Sequence, residues 1–130
     1  VETASASLAP GPMASNHDIA IRKGIDAIRT ASGNTVAIHR GEVSASIVMW
    51  AGNTTLQAVE CGDSITDIPV REWFCRAQDY VLDGNIETPL VGDIIVDGTE
   101  YFHVLPVAGK GCYDEAGTSY ALKIYTKRVA

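Results

Sequence analysis

Three histidines and three cysteines are the side chains best suited to metal binding or nucleophilic chemistry, and they lie far apart: His17, His39, His103, Cys61, Cys75 and Cys112. No histidine belongs to an H-x-x-x-H or H-E-x-x-H spacing, and no two cysteines have C-x-x-C spacing. Because the cysteine count is odd, we interpret these residues as reduced, small buried hydrophobic side chains in a reducing compartment. The sequence therefore predicts no metal site and no cofactor.

Two other features could support chemistry on a substrate. Cys112 or His103 could serve a small hydrolase, but neither has a partner at the spacing typical of a nucleophile and its base. The Gly-Lys-Gly stretch at residues 109–111 lacks the G-x-x-x-x-G-K-[ST] spacing and the strand-to-helix context of a phosphate loop. We therefore predict that the protein is not an enzyme.

Four carboxylates in the middle of the chain, Asp79, Asp83, Glu87 and Asp93, could supply oxygen ligands to calcium. They do not follow the D-x-D-x-D-G spacing, so we favour a solvated acidic edge. Aromatic strands beside acidic loops keep one alternative function open, a small-ligand- or carbohydrate-binding β-barrel domain.

One amphipathic helix is predicted near the N-terminus, over Asn16–Ser32. Its apolar stripe consists of Ile21, Ile25 and Ile28, which recur at helical spacing and should pack on the rest of the domain. Gly33 can adopt the left-handed conformation that ends a helix.

The residues before this helix differ in composition. Residues 1–15 are mostly alanine, serine, proline and glycine, which is typical of a flexible tail. The remaining residues, 16–130, are then expected to form a single β-rich domain.

After the helix, runs rich in valine, isoleucine, threonine and aromatic residues are interrupted at short intervals by glycine, asparagine or aspartate. They predict strands at residues 35–39, 43–50, 54–59, 70–78, 93–96, 100–105 and 120–126. Turns are expected at Gly52-Asn53, at Asp83-Gly84-Asn85 and at Asp97-Gly98. The predicted fold class is mainly β: a small antiparallel β-sandwich or barrel with one N-terminal amphipathic helix and a flexible N-terminal tail.

Charge is distributed unevenly along the chain. The 130 residues include 16 acidic and 10 basic side chains, a net charge of -6 that disfavours general nucleic-acid binding. Twelve of the acidic residues lie between Glu60 and Glu115, while the last fifteen residues carry three basic side chains and no acidic one. A subunit polarised in this way can meet copies of itself head to tail.

The second half of the chain resembles a known family. Residues 71–84, with Trp73-Phe74-Cys75 and Leu82-Asp83-Gly84, are followed by Pro89-Leu90-Val91-Gly92-Asp93-Ile94-Ile95 and by the closing strand 122–129. This ordered series is similar to the head-tail joining proteins of tailed bacteriophages and prophages, and it covers roughly residues 35–129.

The resemblance implies a virion structural protein: a ring-forming neck, stopper or head-completion subunit that joins the portal and head to the tail. Expected partners are copies of itself, the portal or an adaptor protein, and tail proteins. Genomic DNA would pass through the channel without sequence-specific binding, and no membrane is involved. The implied location is the virion neck, after assembly in the host cytoplasm.

The basic C-terminal strand is the predicted subunit interface. Lys123, Lys127 and Arg128 are its charged residues. Alternation places Lys123, Tyr125 and Lys127 on one side of the strand. The apolar residues lie on the other side, and we expect that side to enter the core. We expect the charged side to meet the acidic edge of the next subunit.

Overall fold

The computed structural model describes residues 16–129. The predicted flexible tail, residues 1–15, lies outside the described residues. Helix α1 spans Asn16–Ser32, as predicted, and Gly33 donates a backbone hydrogen bond to the carbonyl of Arg29 at its end. Gly33 does not adopt the left-handed conformation expected of it, because the chain continues directly into a strand at Asn34. In this part of the chain, no helix combines the length and the hydropathy needed to span a membrane.

Nine strands and a 3-10 turn follow the helix. The strands are β1 Asn34–Arg40, β2 Val43–Cys61, β3 Ser64–Arg76, β4 Val81–Leu82, β5 Asn85–Ile86, β6 Ile94–Asp97, β7 Glu100–Val104, β8 Tyr113–Ala116 and β9 Ala121–Val129, with the 3-10 turn Ala77–Asp79 between β3 and β4.

Six of the strands form a closed antiparallel barrel. Their order is β3-β2-β1-β6-β7-β9, and β9 also pairs with β3, which closes the sheet on itself. β8 adds to the outer edge of β9, and β4 and β5 form a separate small hairpin. Of the two predicted architectures, the protein therefore has the barrel. Closure leaves these six strands without a free edge over their paired lengths.

The barrel interior is filled by side chains. Trp73 pairs across the strands with Ile124, and its ring meets that of Phe102 edge to face at a centroid distance of 5.2 Å. The buried cluster comprises Val36, Ile38, Ile47, Met49, Trp73, Cys75, Tyr80, Leu82, Ile95, Phe102, Val104, Leu122 and Ile124. Burial of this apolar surface is the main term that stabilises the fold.

β2 and β3 form a hairpin that continues beyond the barrel. We had predicted a turn at Gly52-Asn53, and this prediction was wrong: β2 runs through it, with a bulge between Ala51 and Thr54. A Cβ atom at Gly52 would lie 2.6 Å from the Phe74 ring, so glycine here permits the close approach of that ring and does not mark a chain reversal. β3 correspondingly begins at Ser64, earlier than predicted.

We call residues 56–69 of this hairpin the arm. One side of the arm covers the outside of the barrel, where Val59, Val70, Val107 and Tyr125 form a second buried cluster. The backbone N–H of Ala108 donates to the carbonyl of Ala58 at 2.8 Å, which fixes the arm to the loop that precedes β8.

The helix lies on the barrel with less burial than its isoleucine stripe suggested. No residue of α1 is fully buried, and Ile28 is 47% exposed. Ile21 and Ile25 instead face Gly117 in the turn between β8 and β9, where a Cβ atom would lie 2.3 Å from the Ile25 side chain. The prediction of apolar packing thus holds for two of the three isoleucines.

The cysteines divide into three environments. Cys75 is buried in the barrel as predicted, Cys112 is half-buried, and Cys61 is exposed at the turn of the arm. The interpretation of Cys61 as a buried side chain was wrong because the hairpin carries it beyond the core.

Candidate subunit-contact surface

A cleft of about 320 Å³ opens at one end of the barrel, beside the base of the arm. The residues that line it are Thr54, Pro69, Arg71, Phe102, Lys127 and Arg128. Thr54 and Pro69 come from the β2–β3 hairpin, Phe102 from β7, and the last two residues from the end of β9. Three of the six lining side chains are cationic.

Arg71 lies over the aromatic part of the cleft. Its guanidinium carbon is 5.7 Å from the ring centre of Trp73 and 5.8 Å from that of Phe102, distances typical of cation–π contacts. Thr126 on β9 donates a hydrogen bond to the Arg71 carbonyl at 2.9 Å, which fixes the backbone at this point. The buried Nε atom of Arg71 has no hydrogen-bond partner among residues 16–129. Arg71 also forms no ion pair among these residues, so its positive charge beside the cleft has no carboxylate partner there.

Lys127 and Arg128 complete the basic side of the cleft. Arg128 contacts Glu100 at 3.1 Å, and both side chains are largely in water, at 68% and 42% exposure. Lys127 is exposed and lies opposite His103 in the β7–β9 register. Among residues 16–129, these three cations form one ion pair, that of Arg128 with the exposed Glu100, so this end of the barrel is attractive to an acidic group.

The third predicted interface residue, Lys123, lies elsewhere. It is half-buried and stands between Phe74 of β3 and Asp114 of β8 in the strand register. Four residues of extended strand separate it from Lys127 by about 13 Å. The structure thus brings two of the three predicted interface residues into one cleft, and their role in assembly stays a prediction.

β9 alternates as expected, with Leu122 and Ile124 in the core and Tyr125 on the side of the lysines, but that side is not open to solvent along its whole length. Tyr125, which we had placed beside the lysines, is fully buried under the arm, and its hydroxyl donates to Asp114. Both sides of the strand are covered because the arm and the loop before β8 pack on the outside of the barrel.

The uncovered side of the arm is the second part of the surface. Paired residues of the hairpin share a side, and the pairs on this one are Leu56–Pro69, Ala58–Asp67 and Glu60–Ile65. Leu56 is 72% exposed and Ile65 is 65% exposed. Large apolar side chains with this exposure, rimmed by acidic ones, are typical of a contact surface.

The predicted solvated acidic edge is wrong for Asp93. Its side chain is buried, and both of its oxygens accept hydrogen bonds from Arg40 at 2.8 Å. The Tyr80 hydroxyl and the Leu90 N–H also donate to it, at 2.7 and 3.0 Å. Burial opposes ionisation, but these donors outweigh it and hold the pKa of Asp93 below its ordinary value.

Asp79 also forms ion pairs with arginines, and these connect the barrel to the helix. It accepts hydrogen bonds from Arg76 at 3.0 Å and from Arg29 of α1 at 2.8 Å. Burial acts to raise its pKa, yet the two guanidinium groups lower it overall. Asp26 of α1 adds contacts with Arg76 and with the hydroxyl of Tyr120. A polar network, which no sequence motif indicated, therefore fastens the helix.

The two residues considered for a hydrolase do not have the environment of a nucleophile and base. Cys112 donates its thiol hydrogen to the carbonyl of Pro89, and burial raises the pKa of this thiol, so the reactive thiolate is disfavoured. His103 lies on the exposed side of β7, between Ile94 and Lys127 in register. Neither residue takes part in a catalytic arrangement among residues 16–129.

Comparison with known proteins agrees with the resemblance found in the sequence. A family model described as phage head-tail joining protein matches residues 17–130. The match includes helix α1 as well as the barrel. No curated protein matches the chain significantly.

Proposed function

Because this chain belongs to the phage head-tail joining protein family, we propose that it is a neck or stopper subunit that forms a homomeric ring between the portal and the tail. The family assigns it a structural role in connecting the phage head and tail. Ring formation, the place within the neck and the passage of DNA through the ring belong to this proposal.

The observation that carries this proposal is the separation of opposite charges onto two surfaces. The cleft contributes Arg71, Lys127 and Arg128, whereas the arm carries Glu60, Asp63 and Asp67 and no basic side chain. A subunit with complementary surfaces at different places forms head-to-tail contacts, and these close into a ring when the rotation permits.

Charge also suits the proposed position around DNA. A net charge of -6 gives the subunit little general attraction for phosphates, so DNA could pass without being retained. We propose that the portal or an adaptor binds one side of the ring and tail proteins bind the other, and that the location is the virion neck.

The carbohydrate- or ligand-binding alternative has less support. Side chains such as Trp73, Phe102 and Ile124 fill the barrel interior, as they do in small barrels that enclose no ligand. The acidic residues considered for calcium include Asp79 and Asp93, which arginines already engage. The geometry therefore favours a role in assembly.

Electron microscopy and native mass spectrometry of the purified chain would test the proposed function. We expect ring-shaped particles of uniform copy number, formed either by the chain alone or on addition of the cognate portal. Antibody labelling of virions should place the protein at the junction of head and tail. A chain that stays monomeric with its portal and is absent from purified virions would contradict the proposal.

A further inference from the structure

We propose that the arm of one subunit docks in the basic cleft of the next copy. This inference rests on the proposed ring and names the surfaces that build it. The occupant of the cleft is thus a second copy of this chain, through residues 56–69.

The arm has one side that the subunit itself does not cover. Its inner side packs on Val107 and Tyr125, while the outer side presents Leu56 and Ile65 to solvent. A partner that covers these two side chains would remove their apolar surface from water, which favours association. Assembly of identical subunits would provide that cover once per copy.

Charge identifies the partner surface. Glu60, Asp63 and Asp67 are exposed, and none of them forms an ion pair within the described part of the chain. Glu60 and Asp67 lie on the same side of the arm as the exposed apolar residues. The arm therefore offers an acidic and apolar surface, which is complementary to a basic cleft with an apolar floor.

The carboxylates of the arm lie too far from the cleft of the same subunit to pair with its cations. Asp67 is separated from Arg71 by four residues of extended strand, about 13 Å, which exceeds the reach of an ion pair. Pro69 at the base of the arm already lines the cleft of its own subunit, whereas a carboxylate of the arm can reach that cleft only from a second subunit. Such a contact joins two different surfaces, and it is heterologous, as a ring requires, when each arm enters the cleft of a different neighbour.

The cleft has the matching chemistry. Arg71 and Lys127 both line the cleft, and neither forms an ion pair among residues 16–129. Phe102 and Pro69 supply apolar surface between the cations. A carboxylate from the neighbouring arm would gain charge-assisted hydrogen bonds, while Leu56 or Ile65 would cover the apolar lining.

A disulfide cross-link tests this contact directly, because Cys61 already stands exposed at the turn of the arm. Thr54→Cys places a second thiol in the cleft, and Cys112→Ala removes the half-buried thiol from the background. Seven residues of strand, about 23 Å, separate positions 54 and 61, whereas a disulfide needs Cα atoms within about 7 Å. Any bond between these positions must therefore join two subunits.

The matched control is Ser44→Cys in the same background, since Ser44 is exposed on β2 and lies outside the cleft lining. Under mild oxidation, non-reducing denaturing gels of assembled Thr54→Cys protein should show a ladder of dimers, trimers and larger species. We expect the ladder to form at least about tenfold faster than in the control, because docking raises the effective concentration of the two thiols. Peptide mass spectrometry should identify the bond between position 54 and Cys61.

The outcomes separate this inference from the proposed function. Rings in the oxidised sample without a bond between position 54 and Cys61 would overturn the docking inference and leave the ring proposal standing. Equal cross-linking in Thr54→Cys and Ser44→Cys would also overturn it. A wild-type chain that never assembles, even with its portal, would overturn both.

Discussion

Arg40 donates two hydrogen bonds of 2.8 Å to Asp93, from Nε to one carboxylate oxygen and from Nη2 to the other. Asp93 is only 1% exposed, so this bidentate ion pair lies at the edge of the barrel core. The same guanidinium also donates to the carbonyl of Thr88 at 2.8 Å. The pair thereby ties the end of β1 to the segment that leads into β6.

We expect Arg40→Ala to lower the free energy of unfolding by about 3–5 kcal/mol, because it leaves the Asp93 carboxylate buried without its cation. Arg128→Ala is the matched control. It removes an exposed pair with Glu100, and such pairs contribute about 0–1 kcal/mol. Denaturant unfolding of both variants measures the difference, and equal losses would show that burial of Asp93 does not determine the cost.

Stability should fall in acid because of Asp93 and Asp79. The pKa of each carboxyl is lower in the folded protein than in the unfolded chain. Between the folded-state pKa and the unfolded-state pKa of a carboxyl, the unfolded chain therefore binds more protons. The stabilisation is complete above the ordinary carboxyl pKa, about 3.9, and is lost as pH falls through the lowered value. Melting temperatures across the acid range should show this decline. We expect a shallower slope in the Asp79→Asn variant, and an unchanged slope would contradict the assignment.

Much of the fold was predictable because local patterns carry it. The bounds of α1 follow from the periodic isoleucines, and the hairpin between β6 and β7 follows from Asp97-Gly98. Gly52 was misread because a glycine at a bulge and a glycine in a turn look alike in a sequence. Ser64–Ile68 was missed because this part of β3 lacks a dense apolar run and precedes Pro69, which usually argues against a strand.

The contact surface was less predictable, since it depends on which strands meet when the barrel closes. Lys127 and Arg128 stood out by charge, but Arg71 lies far from them in sequence and joins the cleft through the β3–β9 pairing. The environments of the acidic residues were also not predictable from the sequence. Asp93 and Asp83 look equivalent in the sequence. In the structure, Asp93 is buried and forms an ion pair with Arg40 of β1, whereas Asp83 lies in an exposed turn.

Ile25→Asp should reduce the stability of the domain by about 2 kcal/mol or more, because it places a charge against Gly117 at the helix contact. Ile28→Asp is the control at a side chain that is 47% exposed, and we expect little change there. Thermal unfolding of the two variants measures the difference. Wild-type melting of Ile25→Asp would mean that the polar contacts of Asp26 and Arg29 hold the helix alone.

Thiol labelling should distinguish the cysteines. Burial raises the pKa of Cys75 to about 12, so near neutral pH this thiol is both inaccessible and protonated. We expect a maleimide to modify Cys61 rapidly and Cys75 only as fast as the protein unfolds. Mass spectrometry of labelled peptides at increasing times measures the two rates. Rapid modification of Cys75 in folded protein would show that β3 opens away from the barrel core.

Replacing basic residues of the cleft should impair assembly without unfolding the subunit. Lys127→Glu with Arg128→Glu turns attraction for the neighbouring arm into repulsion, and a ring repeats the defect at every interface. Each exposed ion pair is worth only about 0–1 kcal/mol, so the folded monomer should keep nearly normal stability. Sedimentation should show poorer assembly that high salt partly restores, because screening acts on charges beyond about 8–10 Å.

Two further variants determine which charges matter in that experiment. Lys123→Glu reverses the predicted interface residue that lies outside the cleft, and we expect it to impair assembly less than the double reversal does. Glu60→Lys with Asp67→Lys on the arm should restore assembly to the double-reversal protein, because the two surfaces then attract again with exchanged signs. Because the arm variant also returns the net charge to its original value, the matched control is Glu42→Lys with Asp83→Lys, two exposed residues outside the arm. Restoration by the arm variant but not by this control identifies a direct contact. If assembly is the same in all of these proteins at every salt concentration, the basic residues of β9 are ordinary solvated side chains and the cleft is not a subunit contact.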